Sequence, residues 1–83
     1  MSVGSFSDWL SGQMDRVGIR SGRRLALETG IDEQLILDWA IGRRVPQPDE
    51  VNRLARFFGV TPGEAQMIRG RTEQMLALSR GRR

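Results

Sequence analysis

Arginine is the residue type through which this chain can act on its surroundings: all 13 basic residues are Arg, and the chain has neither Cys nor His. A guanidinium presents its donors in a planar fork that matches a phosphate or a carboxylate bidentately. Codon bias in a GC-rich genome yields the same arginine-only set, so residue type alone does not identify a ligand. Without thiol or imidazole the chain lacks the atoms for disulfides, Cys/His zinc sites and Ser-His or Cys-His nucleophilic catalysis. The adjacent acids Asp32/Glu33 and Asp49/Glu50 do not form acid–base couples either, because neighbours on a helix point about 100° apart. Both pairs read as helix-start residues. The expected role is binding, with no enzymatic activity, cofactor or metal.

The charge is uneven along the chain. Residues 1–41 carry 4 Arg against 6 acids, net −2, and residues 42–83 carry 9 Arg against 4 acids, net +5, which together make the formal +3. A basic stripe is the electrostatic footprint of nucleic-acid binding, so the second half meets that expectation and the first runs against it. Apolar stretches such as Leu35–Leu37 and Trp39–Ile41 are too short to span a bilayer, and no basic-then-apolar leader opens the chain. A soluble cytoplasmic protein is expected, and 83 residues make one small domain.

The elements that must position these groups are short helices. Phe6, Trp9, Leu10, Met14 and Val17 recur at helical intervals and predict a first helix over 6–16, ended by Gly18 and preceded by a flexible Met1–Ser5. Ser21 is a good N-cap for a second helix over 22–29, in which the small Ala26 lets another helix cross closely. Gly30 ends it in a left-handed conformation, which costs glycine almost nothing. Asp32 then caps a third helix over 33–41. Its Leu35, Ile36, Trp39 and Ala40 face inward, and Glu33, Gln34, Leu37, Asp38 and Ile41 face outward as a candidate reading surface.

Pro46 and Pro48 force an extended connection, after which Asp49 and Glu50 favour the start of a fourth helix over 49–58. Val51, Leu54, Ala55 and Phe58 form its buried stripe, Arg53 and Arg56 lie off it, and Gly59 closes it. Thr61-Pro62-Gly63-Glu64 opens a fifth helix. Gly70 either stops that helix, leaving a separate one over 72–79, or is crossed at a cost of ~1 kcal/mol. Met67, Ile68, Met75, Leu76 and Leu78 are more apolar surface than one core needs, so this tail pairs with a second copy or packs back on its own core. The expected organisation is flexible residues 1–5, an all-α domain over 6–69, and a helical, basic extension over 70–83 with a mobile end from Gly81.

The S-x-x-x-L-A-x-x-x-G-I run from Ser21 to Ile31, the inward Ile36 and Trp39, the G-R-R-x-P of Gly42 to Pro46 and the L-A-R-F-F-G-V-T-P-G-E of Leu54 to Glu64 occur in order over roughly residues 5–66. In this order and spacing they resemble the helix-turn-helix of phage-repressor, Cro-like and Xre-type regulators. The resemblance implies a compact five-helix lambda-repressor-like fold that binds double-stranded DNA in transcriptional regulation, as a dimer, with the third helix in the major groove. It implies phosphate contacts at Ser21, Arg23, Arg24, Arg43 and Arg44, and base reading by Glu33, Gln34, Leu37, Asp38 and Ile41. Gln34 suits adenine, Glu33 or Asp38 suits the cytosine amine, and Leu37 or Ile41 suits a thymine methyl.

Two positions depart from the family pattern. Gly22 stands where Gln is usual, removing a phosphate-contacting amide, and Ala40 stands where Glu is usual, removing a carboxylate that pairs with an Arg of the first helix. Asp32, Glu33 and Asp38 also place negative charge on a helix that has no Arg or Lys. These departures keep a second expectation open: a protein-interaction module, such as a phage or mobile-element adaptor or an antitoxin-like subunit, presenting Glu33, Leu37, Asp38 and Ile41 to another protein.

Overall fold

Hydroxyl, carboxylate and glycine caps divide the described residues into five helices. A computed structural model describes residues 5–81, with side chains through Ala77. It contains α1 (Phe6–Val17), α2 (Gly22–Thr29), α3 (Glu33–Ala40), α4 (Pro48–Phe58) and α5 (Pro62–Gly81). There is no strand among the described residues. Met1–Gly4 and Arg82–Arg83, and the side chains of Leu78–Gly81, lie outside the described residues. Ser5, expected in the flexible N-terminus, is instead the N-cap of α1, its Oγ accepting from Asp8 N–H at 3.3 Å.

The caps satisfy backbone groups that a helix leaves unpaired at its ends. Ser21 Oγ accepts from Arg24 N–H at 3.1 Å, Asp32 Oδ1 from Gln34 N–H at 2.8 Å and Thr61 Oγ1 from Glu64 N–H at 3.3 Å. Helix α4 begins one residue earlier than expected, because Pro48 needs no N–H at the first position and Gln47 N–H donates to Glu50 Oε1 at 2.7 Å. Helix α3 ends one residue earlier, with Ile41 as its C-cap. Helix α5 runs unbroken through Gly70 for 20 residues, so there is no separate helix over 72–79.

The core is built from Trp9, Leu10, Leu25, Ile36, Trp39, Val51, Leu54, Ala55, Phe58 and their neighbours, all buried. Phe6 lies 5.2 Å from Trp9 and 6.4 Å from Trp39 between ring centroids, and Trp9 lies 5.8 Å from Phe58, the last two edge to face. These contacts lock α1 to α3 and α4, and such aromatic pairs are worth about 0.5–1.5 kcal/mol beyond their burial. Val17, expected on the core face of α1, is 39% exposed. The chain folds back at the helix end, where Ile19 N–H donates to Met14 O at 2.8 Å, and Ile19 is buried in its place.

Helix α5 is tied to the first turn of α1. Phe6 N–H donates to Thr72 Oγ1 at 2.7 Å, and that hydroxyl donates to Ile68 O at 3.0 Å. Thr72 is buried, so a backbone donor at the start of α1 is satisfied from a residue 66 positions away. Ile68 and Leu76 are half-buried, whereas Met67 and Met75 remain exposed. Among the described residues no helix is long and apolar enough to cross a membrane.

Candidate nucleic-acid interface

The turn between α2 and α3 sets the angle between these two helices. Gly30 has φ 76° and its N–H donates to Ala26 O at 2.8 Å, after which the buried Ile31 pins the turn to the core. A Cβ at position 22 would meet Leu37 Cδ2 at 3.2 Å and Ile36 Cγ2 at 3.4 Å. Glycine there lets the first turn of α2 sit close against α3. Leu37 is half-covered by this approach, at 41% exposed.

Ser21, Arg23 and Arg24 stand at the start of α2, and all three are exposed. The Ser21 hydroxyl oxygen is engaged by Arg24 N–H, leaving its proton free to donate. Arg24 Nε pairs with Glu28 Oε2 at 2.9 Å, one helical turn on, with both side chains exposed. Arg23 makes no ion pair among the described residues.

On the outward side of α3, Glu33, Gln34, Leu37 and Ile41 are exposed as expected. Asp38 is not: it is buried, with the whole residue 6% exposed. The chain after α3 turns back toward the end of the helix and returns to Asp38. Gly42 takes φ 78°, and Arg43 N–H and Arg44 N–H both donate to Asp38 O, at 2.9 and 3.4 Å. Arg44 Nε then lies 3.5 Å from Asp38 Oδ2. A carboxylate near a helix C-terminus opposes the dipole, and this arginine compensates it. Arg43 is exposed and makes no ion pair among the described residues.

The connector carrying these arginines is anchored at several points. Pro46 is fully buried, Arg69 Nε donates to Pro46 O at 2.7 Å, and Ser7 Oγ donates to the last α3 carbonyl, Ala40 O. None of these anchors was expected from sequence. Arg69 sits 23 residues from its acceptor, and no local pattern announces a bond of that span. Leu27, 76% exposed on α2 one turn beyond Arg23, was also missed. Its position off the Leu25–Ala26 stripe was the available signal.

Residues 20–44 carry 5 Arg against 4 acids, net +1. With Asp38 withdrawn and paired, the exposed carboxylates of α3 and its cap are Asp32 and Glu33, both at the helix start where the dipole favours them. Neither family models, nor curated proteins, nor solved structures give a match to this chain.

Proposed function

We propose that this chain is a DNA-binding domain of the lambda-repressor-like, Xre/Cro type, a cytoplasmic non-catalytic regulator that lays α3 in the major groove of duplex DNA. The observation that carries this reading is the withdrawal of Asp38 onto Arg44, which removes the carboxylate least compatible with a polyanion from the outward face. What remains outward is Glu33, Gln34, Leu37 and Ile41, with exposed Arg23 at the start of α2 and exposed Arg43 after the end of α3. Gln34 is the group suited to adenine, and Leu37 and Ile41 are apolar contacts for thymine methyls. Regulation by a dimer belongs to the same reading.

The test is binding to random duplex DNA over a range of salt. Each arginine that neutralises a phosphate contributes about one unit to the slope of log K against log salt, so Arg23→Ala and Arg43→Ala should each lower it by about one. Absence of duplex binding at low salt would overturn the reading.

The exposure of Leu27 and Ile41 favours a second reading, in which the same surface holds a protein partner. Ile41→Arg separates the two: added positive charge at the helix end tightens DNA binding under the first reading, whereas under the second it introduces a charge into an apolar contact and leaves the chain without duplex affinity.

A further inference from the structure

Arg24 and Arg44 are both ion-paired, but their partners differ in a way that bears on phosphate binding. The Glu28 side chain is exposed, at 42%, so water can replace Arg24 at little cost and free it for a phosphate. The Asp38 side chain is only 9% exposed, while Arg44 is 62% exposed. If Arg44 leaves, the carboxylate stays behind with no other cation paired to it among the described residues. A buried charge stripped of its partner is strongly unfavourable. The two backbone N–H bonds to Asp38 O also tether the Arg43–Arg44 main chain to the same residue, so Asp38 competes for this guanidinium as an intramolecular ligand at high effective concentration.

We propose that Asp38 withholds Arg44 from the phosphate backbone, so that the chain meets arbitrary duplex DNA with Arg23, Arg24 and Arg43 available and Arg44 held back. This rests on the DNA-binding reading and deepens it: Asp38 is a positioning residue that acts through Arg44 and lowers non-specific affinity. A duplex that engages Arg44 must first replace a buried partner, which penalises poorly fitted sites more than well-fitted ones.

The experiment is a double-mutant cycle of Asp38→Asn and Arg44→Ala, read as binding to random duplex across a salt series, with each variant's fold checked by circular dichroism. Asp38→Asn frees Arg44, and should tighten binding about five- to tenfold at 0.1 M salt while raising the slope by about one unit. Arg44→Ala should leave the slope unchanged in the wild-type background and lower it by about one unit in the Asp38→Asn background. Equal losses on Arg44→Ala in both backgrounds would overturn the proposal, as would equal tightening by Asp38→Asn with and without Arg44. In wild-type protein alone, the Arg44 Nε–H resonance should keep its shift and exchange protection when random duplex is added, and loss of that protection also overturns it. If wild-type protein fails to bind duplex at low salt, the DNA-binding reading falls and this proposal with it. The other negative outcomes remove only the role of Asp38.

Discussion

Two arginine pairs bracket α3 in the chain, one at the start of α2 and one after α3, and they divide in the same way. Arg23–Arg24 opens α2 and Arg43–Arg44 follows α3; in each, one guanidinium makes no ion pair among the described residues and the other sits on a carboxylate. The difference lies in the partner. Glu28 lies on the surface of its own helix, where such pairs contribute about 0.3–0.5 kcal/mol, whereas the Asp38 side chain is only 9% exposed. The ion pair thus rests on a partly exposed carboxylate in one region and on a buried one in the other. Burial and distance run opposite ways: the pair with the more exposed carboxylate has the shorter contact, 2.9 Å against 3.5 Å.

The largest effect comes from removing what both regions stand on. Trp39 is buried between α1 and α3, against Phe6. Trp39→Ala should cost about 3–5 kcal/mol, a large part of a small domain's stability, and abolish both arginine sites together. A thermal melt measures it; a loss below about 1 kcal/mol would mean the α1–α3 packing is misassigned. Next is the contrast between the pairs. Arg44→Ala strands a buried carboxylate and should cost about 1–3 kcal/mol in chemical denaturation, whereas Arg24→Ala should cost no more than about 0.5 kcal/mol. Equal costs would erase the distinction between the two regions. The smallest effect is expected for Gly22→Ala. Its Cβ presses Leu37 at 3.2 Å, but Leu37 can yield toward solvent and alanine favours the helix, so stability should change by less than about 0.5 kcal/mol.

Most of the scaffold was legible because it depends on local chemistry. Ser21, Asp32 and Thr61 cap helices, Gly30 and Gly59 end them in the left-handed region, and Leu25, Ile36, Trp39, Leu54 and Phe58 are buried where periodicity placed them. What escaped depends on chain that returns from elsewhere. A helical projection treats α3 as an isolated rod and leaves Asp38 on its outward side; in the fold Asp38 is buried, and the chain after Gly42 returns to bond its carbonyl and set Arg44 beside its carboxylate. Thr72 looks like a polar residue on an extension until its hydroxyl meets Phe6 N–H across the fold. Val17 and Ile19 exchange places for a similar reason, since the turn after α1 re-aims the residues at its end. Of the ten expected contact residues, nine are exposed and one is not. That one, Asp38, changes the electrostatic character of the whole face.

The most direct test of the account is the salt dependence of random-duplex binding for wild-type protein beside the Arg23→Ala, Arg43→Ala double variant. The account predicts measurable binding at low salt and a slope of log K against log salt smaller by about two units in the variant. An unchanged slope, or no duplex binding by the wild type, would contradict it.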